Sequence, residues 1–373
     1  MSRPHAVRRA RVAQALEAEG LAAALFEDTE GRRDQGIRYL TGQPGDALLV
    51  IAADGRSVLV AWDLNMAREL AQADEIRAYS DFERKPIRAL GEIAAGLGLP
   101  RGSRVELPAA TPYPRYVDYV EGLPDYDLVC REGGAGEALR GMRAVKDAGE
   151  IALYRRAAEL TDRLIDAIEA AVRGGKAATE ADLALLIERE CRSLGCEGTG
   201  FETIAAGPAR SFGIHAFPAW GPGPFGSAGM SILDFGLKLE GYTTDVTMSF
   251  LRGSLGPERE RMVELVLAAR EAAAAAIKPG ARTRDAALAV DAVFAAAGLA
   301  MPHALGHGIG LEAHEAPAIR SRADNEDTFA AGQVVAIEPG LYHPELGGIR
   351  FEDDYLVTAA GCERLTHSRI VRL

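Results

Sequence analysis

The chain lacks paired cysteines, long apolar runs and any excess of positive charge. Its four cysteines, Cys130, Cys191, Cys196 and Cys362, form no CxxC pair. That argues against a thiolate zinc site and a disulfide framework, and points to reduced thiols in a cytoplasmic protein. No apolar run approaches the roughly 20 residues of a membrane span, and the alanine run Ala272–Ala276 reads as the middle of a helix. The stretch after Met1 carries basic residues but no apolar h-region, so no secretory leader is expected. The net charge is −12, with Lys and Arg scattered rather than striped, which disfavours nucleic acid and anionic membranes as partners. Neither GxGxxG after a strand nor GxxxxGK[ST] occurs, so a nucleotide site is not expected.

What the chain does have is length and alternation. Its 373 residues can bury a large core in two or three domains. Residues 6–19 have helical character, and Ala22–Phe26 reads as a strand. Ala47–Ile51 and Ser57–Ala61 flank an Asp54-Gly55 turn, a hairpin signal. Helix and strand patterns alternate through residue 130, which predicts an α/β N-terminal domain over 1–132. The Gly133-Gly-Ala-Gly136 stretch reads as the boundary. Residues 133–373 then read as α+β. An amphipathic helix covers about Asp147–Val172, and a second, opened by Thr179-Glu-Ala-Asp182, runs to about Leu194. Two more are expected over Pro257–Ile277 and Thr283–Ala297, and the last stretch is mostly strand and loop.

The chemistry concentrates in two acidic hairpins. Ile232–Phe235 and Asp245–Phe250 read as strands about a turn at Leu239-Glu240-Gly241. Folded symmetrically, they set Asp234 opposite Asp245, with β-carbons roughly 5 Å apart. Like charges so placed among apolar neighbours call for a cation between them. Val334-Val-Ala-Ile-Glu338 and Gly347-Gly-Ile-Arg350-Phe-Glu352 repeat the pattern. Reflection about residue 345 sets Glu338 opposite Glu352, with Arg350 able to neutralise part of the charge. Between the hairpins lies Pro302-His303-Ala-Leu-Gly-His307-Gly-Ile-Gly-Leu-Glu-Ala-His314. Its His-x3-His spacing would suit a helix, but Gly306, Gly308 and Gly310 argue for an extended segment with close backbone approach. His314-Glu315 is followed by Ala316-Pro317, so this is not an HExxH zinc helix.

Four carboxylates and an imidazole can hold two divalent ions. Such donors suit Mn²⁺ above all, then Co²⁺, Fe²⁺ or Zn²⁺. A two-metal centre with spare histidines beside it is equipment for hydrolysing an amide or ester.

With these residues assembled, the chain resembles the M24 "pita-bread" metallopeptidase family, most closely its proline-peptidase branch of prolidase and aminopeptidase P. The family's ligand order falls on Asp234, Asp245, His307, Glu338 and Glu352, at intervals of 11, 62, 31 and 14 residues. The likeness covers about 139–373, and more loosely 1–130 through Arg38-Tyr-Leu-Thr-Gly42. It implies a creatinase-like N-terminal domain before a pita-bread catalytic domain. It further implies that His215 contacts substrate or shuttles a proton, His314 stabilises the tetrahedral intermediate, and Glu338 is both ligand and proton acceptor. His303, Tyr342 and Arg350 are implied to bind substrate or steady the network. One departure is Met248, where the family usually has Arg after Asp-x-Thr. The resemblance implies an Xaa-Pro dipeptidase acting on small peptides, in a cytoplasmic homodimer. Aminopeptidase P, a hydrolase of a non-peptide amide, and a binding protein without turnover are the alternatives; the retained ligand set argues against the last.

Overall fold

The computed structural model describes residues 4–373. It forms two compact units, Met1–Arg143 and Ala144–Leu373. Among the described residues no helix is long and apolar enough to cross a membrane.

In the first unit, helix Pro4–Ala18 leads into strand Ala23–Asp28. That strand pairs antiparallel with Ala47–Ala52 and parallel with Arg104–Leu107. Ala47–Ala52 in turn pairs antiparallel with Ser57–Ala61 across the expected turn, where Gly55 has φ 93°. The six-stranded sheet is completed by Glu75–Ala78 beside Ser57–Ala61 and Asp127–Cys130 beside Arg104–Leu107. Helices alternate with these strands, so the α/β expectation matches the architecture. The glycines at 133–136 lie within the first compact unit, which runs on to Arg143. Gly134 has φ 60°, a β-carbon there would lie 2.1 Å from Glu106 Oε1, and Ala135 N donates to Glu106 Oε2 at 2.9 Å. The stretch therefore opens helix Gly134–Ala144 against the first unit.

The second unit repeats one plan, two helices followed by a sheet. Helix Ala148–Arg173 starts at a capping box: Asp147 accepts from the Gly149 and Glu150 amides while Glu150 accepts from the Asp147 amide. Helix Glu180–Ser193 starts at a second box, Thr179 with Asp182. Both pack against the four-stranded sheet ordered Ile370–Arg372, Val246–Arg252, Gly229–Phe235, Ile204–Ala206, through an apolar cluster that includes Ile165, Ile187, Leu233, Phe235 and Phe250. Met248, at the departure from the pattern of the resemblance, is fully buried in that apolar cluster. Helices Gly256–Ala276 and Thr283–Ala295 cover the second sheet in the same way, through Val266, Val290, Phe294, Val335 and Ile337. That sheet runs Glu315–Ile319, Gly306–His307–Gly308, Val334–Ile337, Asp353–Val357, Cys362–Arg364. An isolated bridge between Thr247 and Glu352 ties the two sheets together, at the point where the acidic residues emerge.

Candidate metal centre

The first acidic hairpin turns at Glu240-Gly241, where both residues have positive φ, 49° and 88°. Such a two-residue turn sets the register by itself. Leu239 pairs with Tyr242, and the same register places Asp234 opposite Thr247, not opposite Asp245. The expected direct pairing is thus off by two residues, because the fold centres on Glu240-Gly241 rather than a residue earlier. Asp245 sits just before strand Val246–Arg252, diagonal to Asp234.

In the second hairpin the reflection about residue 345 matches the ladder on both sides. Gly340 pairs with Arg350, and Ile337 with Asp353. Glu338 and Glu352 lie between these two ladders, at the gap where Phe351 N reaches Pro339 O at 3.2 Å.

The histidine segment is extended, as its alternate glycines predict. Strand Gly306–Gly308 is sandwiched between two neighbours. A β-carbon at Gly306 would stand 2.0 Å from Ala336 O, and one at Gly308 would stand 1.9 Å from Ala316 O. Only glycine admits backbone at that spacing, which fixes the His307 side chain between them. His307 Nδ1 faces Gly308 O at 3.1 Å, leaving Nε2 3.8 Å from Asp245 Oδ2 and 3.9 Å from Glu338 Oε1.

Asp245, His307 and Glu352 each bring a donor atom within 4.8 Å of the others. Glu338 joins them through His307, and its other oxygen lies 3.8 Å from His303 Nδ1. Asp234 is held from the side by Arg350, Nη2 to Oδ2 at 2.6 Å. Arg350 directs three further hydrogen bonds to Thr247 Oγ1, Ile214 O and Tyr342 OH. Tyr342 OH also meets His303 Nε2 at 3.1 Å. His314 lies tilted beside His307, ring centroids 4.1 Å apart and planes at 58°, and is exposed. His215 is exposed too, on the segment whose Ile214 carbonyl accepts from Arg350.

Burial and mutual repulsion dominate the electrostatics. Desolvation, then Glu352 and Asp234, hold the Asp245 carboxyl well above the usual range. Desolvation, then Glu338 and Asp234, do the same to Glu352. Burial pushes Glu338 up to about 8 and raises Asp234 despite Arg350. Burial opposes the Arg350 charge, yet Tyr342, Asp234, Glu352 and Glu338 outweigh it and keep the guanidinium ionised. His303 and His307 are pushed down to about 4, chiefly by burial, and so stay neutral.

This donor set fits divalent cations. Asp234 Oδ1 is buried with no hydrogen-bond partner, and the neutral imidazole of His307 turns Nε2 toward two carboxylates. Carboxylate oxygens with an imidazole nitrogen are what hard to borderline ions take.

Two contributors were not singled out from the sequence. Thr247 Oγ1 donates to Glu352 Oε2 at 2.7 Å, and Asp354 Oδ2 accepts from the Asp245 amide at 3.1 Å. Each stands two residues beyond a candidate ligand, the strand spacing that returns a side chain to the same face.

Comparison with known proteins agrees with this geometry. The pattern of metallopeptidase family M24 matches residues 152–359, and that of the creatinase/prolidase N-terminal domain matches residues 8–145. Over 234 residues the chain is 37% identical to the putative dipeptidase YkvY of Bacillus subtilis, covering 62% of this chain and 63% of that protein. It is 33% identical over 233 residues to the Xaa-Pro dipeptidase of Pyrococcus horikoshii, covering 62% of this chain and 64% of that protein. These matches span less than two thirds of either relative. The X-Pro aminopeptidase from Thermotoga maritima shares the fold at a TM-score of 0.85 and 27% identity, over 98% of this chain and 99% of that one. With a creatinase-type domain ahead of it and the acidic, histidine-flanked centre within it, the chain belongs to metallopeptidase family M24.

Proposed function

We propose that the protein is a di-metal hydrolase that cleaves the peptide bond before proline, acting as an Xaa-Pro dipeptidase. The observation that carries this reading is the convergence of Asp245, His307 and Glu352 with Glu338 and the Arg350-held Asp234, beside two further histidines. In this reading Asp234, Asp245, His307, Glu338 and Glu352 hold two divalent ions, with Mn²⁺ the preferred metal and Co²⁺, Zn²⁺ or Fe²⁺ the substitutes. When bound, such ions supply Lewis acidity and lower the pKa of water.

The chain's own residues do the rest. Glu338 takes a proton at its carboxylate, a role its buried site favours because the neutral form is stabilised there. His314 donates a hydrogen bond to the oxyanion that develops at the scissile carbonyl. His215, at the exposed end of the Arg350 network, contacts the substrate or moves a proton. His303 and Tyr342, linked at 3.1 Å, line the substrate pocket, and Arg350 fixes Tyr342 from behind.

The name of the Pyrococcus relative supports the dipeptidase, and that of the Thermotoga structure supports aminopeptidase P as the second reading. A matched panel of Ala-Pro, Met-Pro, Ala-Pro-Ala and Ala-Ala separates them, run on metal-stripped protein with and without Mn²⁺. Metal-dependent cleavage of the Xaa-Pro dipeptides alone is the expected result. Cleavage of the tripeptide as well moves the assignment to aminopeptidase P. Loss of all cleavage while two metals bind would leave the centre and discard the substrate, in favour of a small non-peptide amide. A homodimer in the cytoplasm belongs to the same reading on family resemblance, and sedimentation of the pure protein tests the dimer.

A further inference from the structure

The first unit carries a cavity that the catalytic reading does not use. It measures about 330 Å³ and lies at the end of strand Ala23–Asp28. Its rim is the tight Glu30-Gly31 turn, which Thr29 and Arg32 close with paired backbone hydrogen bonds. That volume is at the lower end of the range for small-molecule sites. Trp62 and Tyr79 line it, ring centroids 5.9 Å apart, and Trp62 is 57% exposed.

The charges around this cavity are unevenly paired. Glu27 accepts from two guanidiniums, Arg32 Nη2 at 2.8 Å and Arg115 Nη2 at 2.9 Å, which leaves one positive charge over. Asp28 and Asp46 share a single guanidinium nitrogen, Arg33 Nη1, at 3.3 and 2.5 Å, which leaves one negative charge over. Successive strand residues point to opposite faces, so the surplus at Glu27 and the deficit at Asp28 lie on opposite sides of the strand end. Arg84 adds another cation to the lining. Its guanidinium carbon stands 5.0 Å from the Trp62 ring centroid, and it makes no ion pair among the described residues. Arg84 also has φ 56°, directly after Glu83 at φ 55°, a left-handed backbone that residues with side chains rarely adopt and that clusters at functional sites. The cavity is therefore dipolar, with an aromatic wall.

We propose that this cavity is a second binding site, for small zwitterions, namely free amino acids or dipeptides. The ligand ammonium goes to Asp28 and Asp46, its carboxylate to Arg84 and Arg115, and its apolar part to Trp62 and Tyr79. An ammonium supplies the positive charge that the two aspartates lack, through charge-assisted hydrogen bonds. A carboxylate matches the planar fork of a guanidinium. A ligand carrying one sign of charge satisfies one side and meets like charge on the other, which sets the specificity. Reactants and products of a dipeptidase belong to this class. The choice of proline compounds as probes rests on the proposed function; the charge pattern does not.

The test follows Trp62 emission. Trp62 and Trp220 are the chain's two tryptophans, so full-length Trp220→Phe protein carries its one indole at the cavity. L-Proline is titrated into the metal-loaded protein, and Ala-Pro into the metal-stripped protein so that no turnover intervenes. The expected result is a saturable change in emission with at least one of them. A response to L-proline alone assigns the site to free amino acids, and one to Ala-Pro alone assigns it to dipeptides. N-acetyl-L-proline and L-prolinamide, each missing one charge, bind at least about tenfold more weakly, and Arg84→Ala weakens the zwitterion by at least about tenfold. Arg84 is exposed, so its replacement does not threaten the fold. Calorimetry of wild type against Arg84→Ala repeats the comparison without the Trp220 substitution. No saturable change up to about 10 mM overturns the proposal. Equal binding of the blocked prolines overturns it too, since that marks apolar stacking on Trp62, and so does undiminished binding in Arg84→Ala. Failure of the substrate assignment is read separately, as wild-type protein that binds Mn²⁺ and cleaves nothing in the panel.

Discussion

Arg350 and Asp234 form a buried ion pair, Nη2 to Oδ2 at 2.6 Å, and the same guanidinium reaches Thr247, Ile214 and Tyr342. It is the main positive charge inside a nest of carboxyl groups. Replacing it by Met leaves Asp234 without its partner and Tyr342 without its support. Removing one member of a buried pair typically costs about 3–5 kcal/mol. Urea denaturation of metal-free Arg350→Met is expected to show a loss of that order, and Arg350→Lys a substantial loss too, since an ammonium cannot span four acceptors. Wild-type stability in the Met variant would contradict the pairing.

The histidines are expected to separate by role. His314→Ala should keep its metal and lose kcat by about 10²–10³-fold, the usual cost of an oxyanion donor. His307→Ala should lose metal outright. Metal content by atomic absorption, set against kcat, checks both. A His314→Ala protein with an unchanged rate would remove that residue from the mechanism.

Metal removal should make stability depend on pH in a definite direction. The folded pKa values of Asp234, Asp245, Glu338 and Glu352 are raised. Groups of that kind stabilise the fold below the unfolded carboxyl pKa, and that stability is lost as pH rises toward the folded value, about 8 for Glu338. His303 and His307, lowered to about 4, act the other way, but only below the unfolded histidine value near ~6.5. Above that pH the carboxyl effect stands alone. The melting temperature of metal-free protein should therefore fall between about pH 6.5 and pH 8, the stretch below the Glu338 value. Added Mn²⁺ should restore it more strongly at the upper end, because the ligands have shed their protons. A flat profile for the stripped protein would count against the buried carboxyl cluster.

The segment bearing His215 is clasped from a distance. Glu180 Oε1 accepts from Gly207 N at 2.8 Å, its Oε2 accepts from Arg210 Nη2 at 2.7 Å, and Arg210 Nη1 donates to Pro218 O at 2.7 Å. Glu180→Gln weakens the clasp without touching the metal donors. A loss in kcat/KM on the order of tenfold is expected, with Mn²⁺ affinity unchanged in calorimetry. An equal loss of metal would show that the segment supports the centre itself.

Gly308 is the most confined point of the histidine strand. Ala there would put a β-carbon 1.9 Å from Ala316 O and 2.8 Å from Pro317 N, both backbone atoms. Forced overpacking of this kind costs about 3 kcal/mol or more. Thermal melts of Gly308→Ala check it, and a variant as stable as wild type would mean the strand is not sandwiched as described.

Much of this was legible in the chain itself. The helix starts at Asp147 and Thr179 could be read because capping is local chemistry, written within four residues. The extended His307 segment could be read because glycine at alternate positions is costly unless backbone comes close. The reflection that brings Glu338 and Glu352 together could be read because period-two alternation carries register. The first hairpin was harder. A shift of a single residue in the turn moves every partner, so Asp234 meets Thr247 and only the non-glycine positive φ at Glu240 reveals why. The glycines at 133–136 read as a boundary because a close approach to Glu106 leaves no mark in the local sequence.

The sequence by itself determined the parts list: the two acidic hairpins, the extended histidine strand between them, and the α/β and α+β character of the two halves. These follow from propensities and periodicities that act over a few residues. Only the tertiary structure decided that Arg350 is committed to Asp234, that Asp354 grips the Asp245 amide, and that Thr247 donates to Glu352. Those pairings join residues far apart in the chain. Their energies come from burial, which removes water as a competing partner and so turns a neutralising charge into a structural requirement.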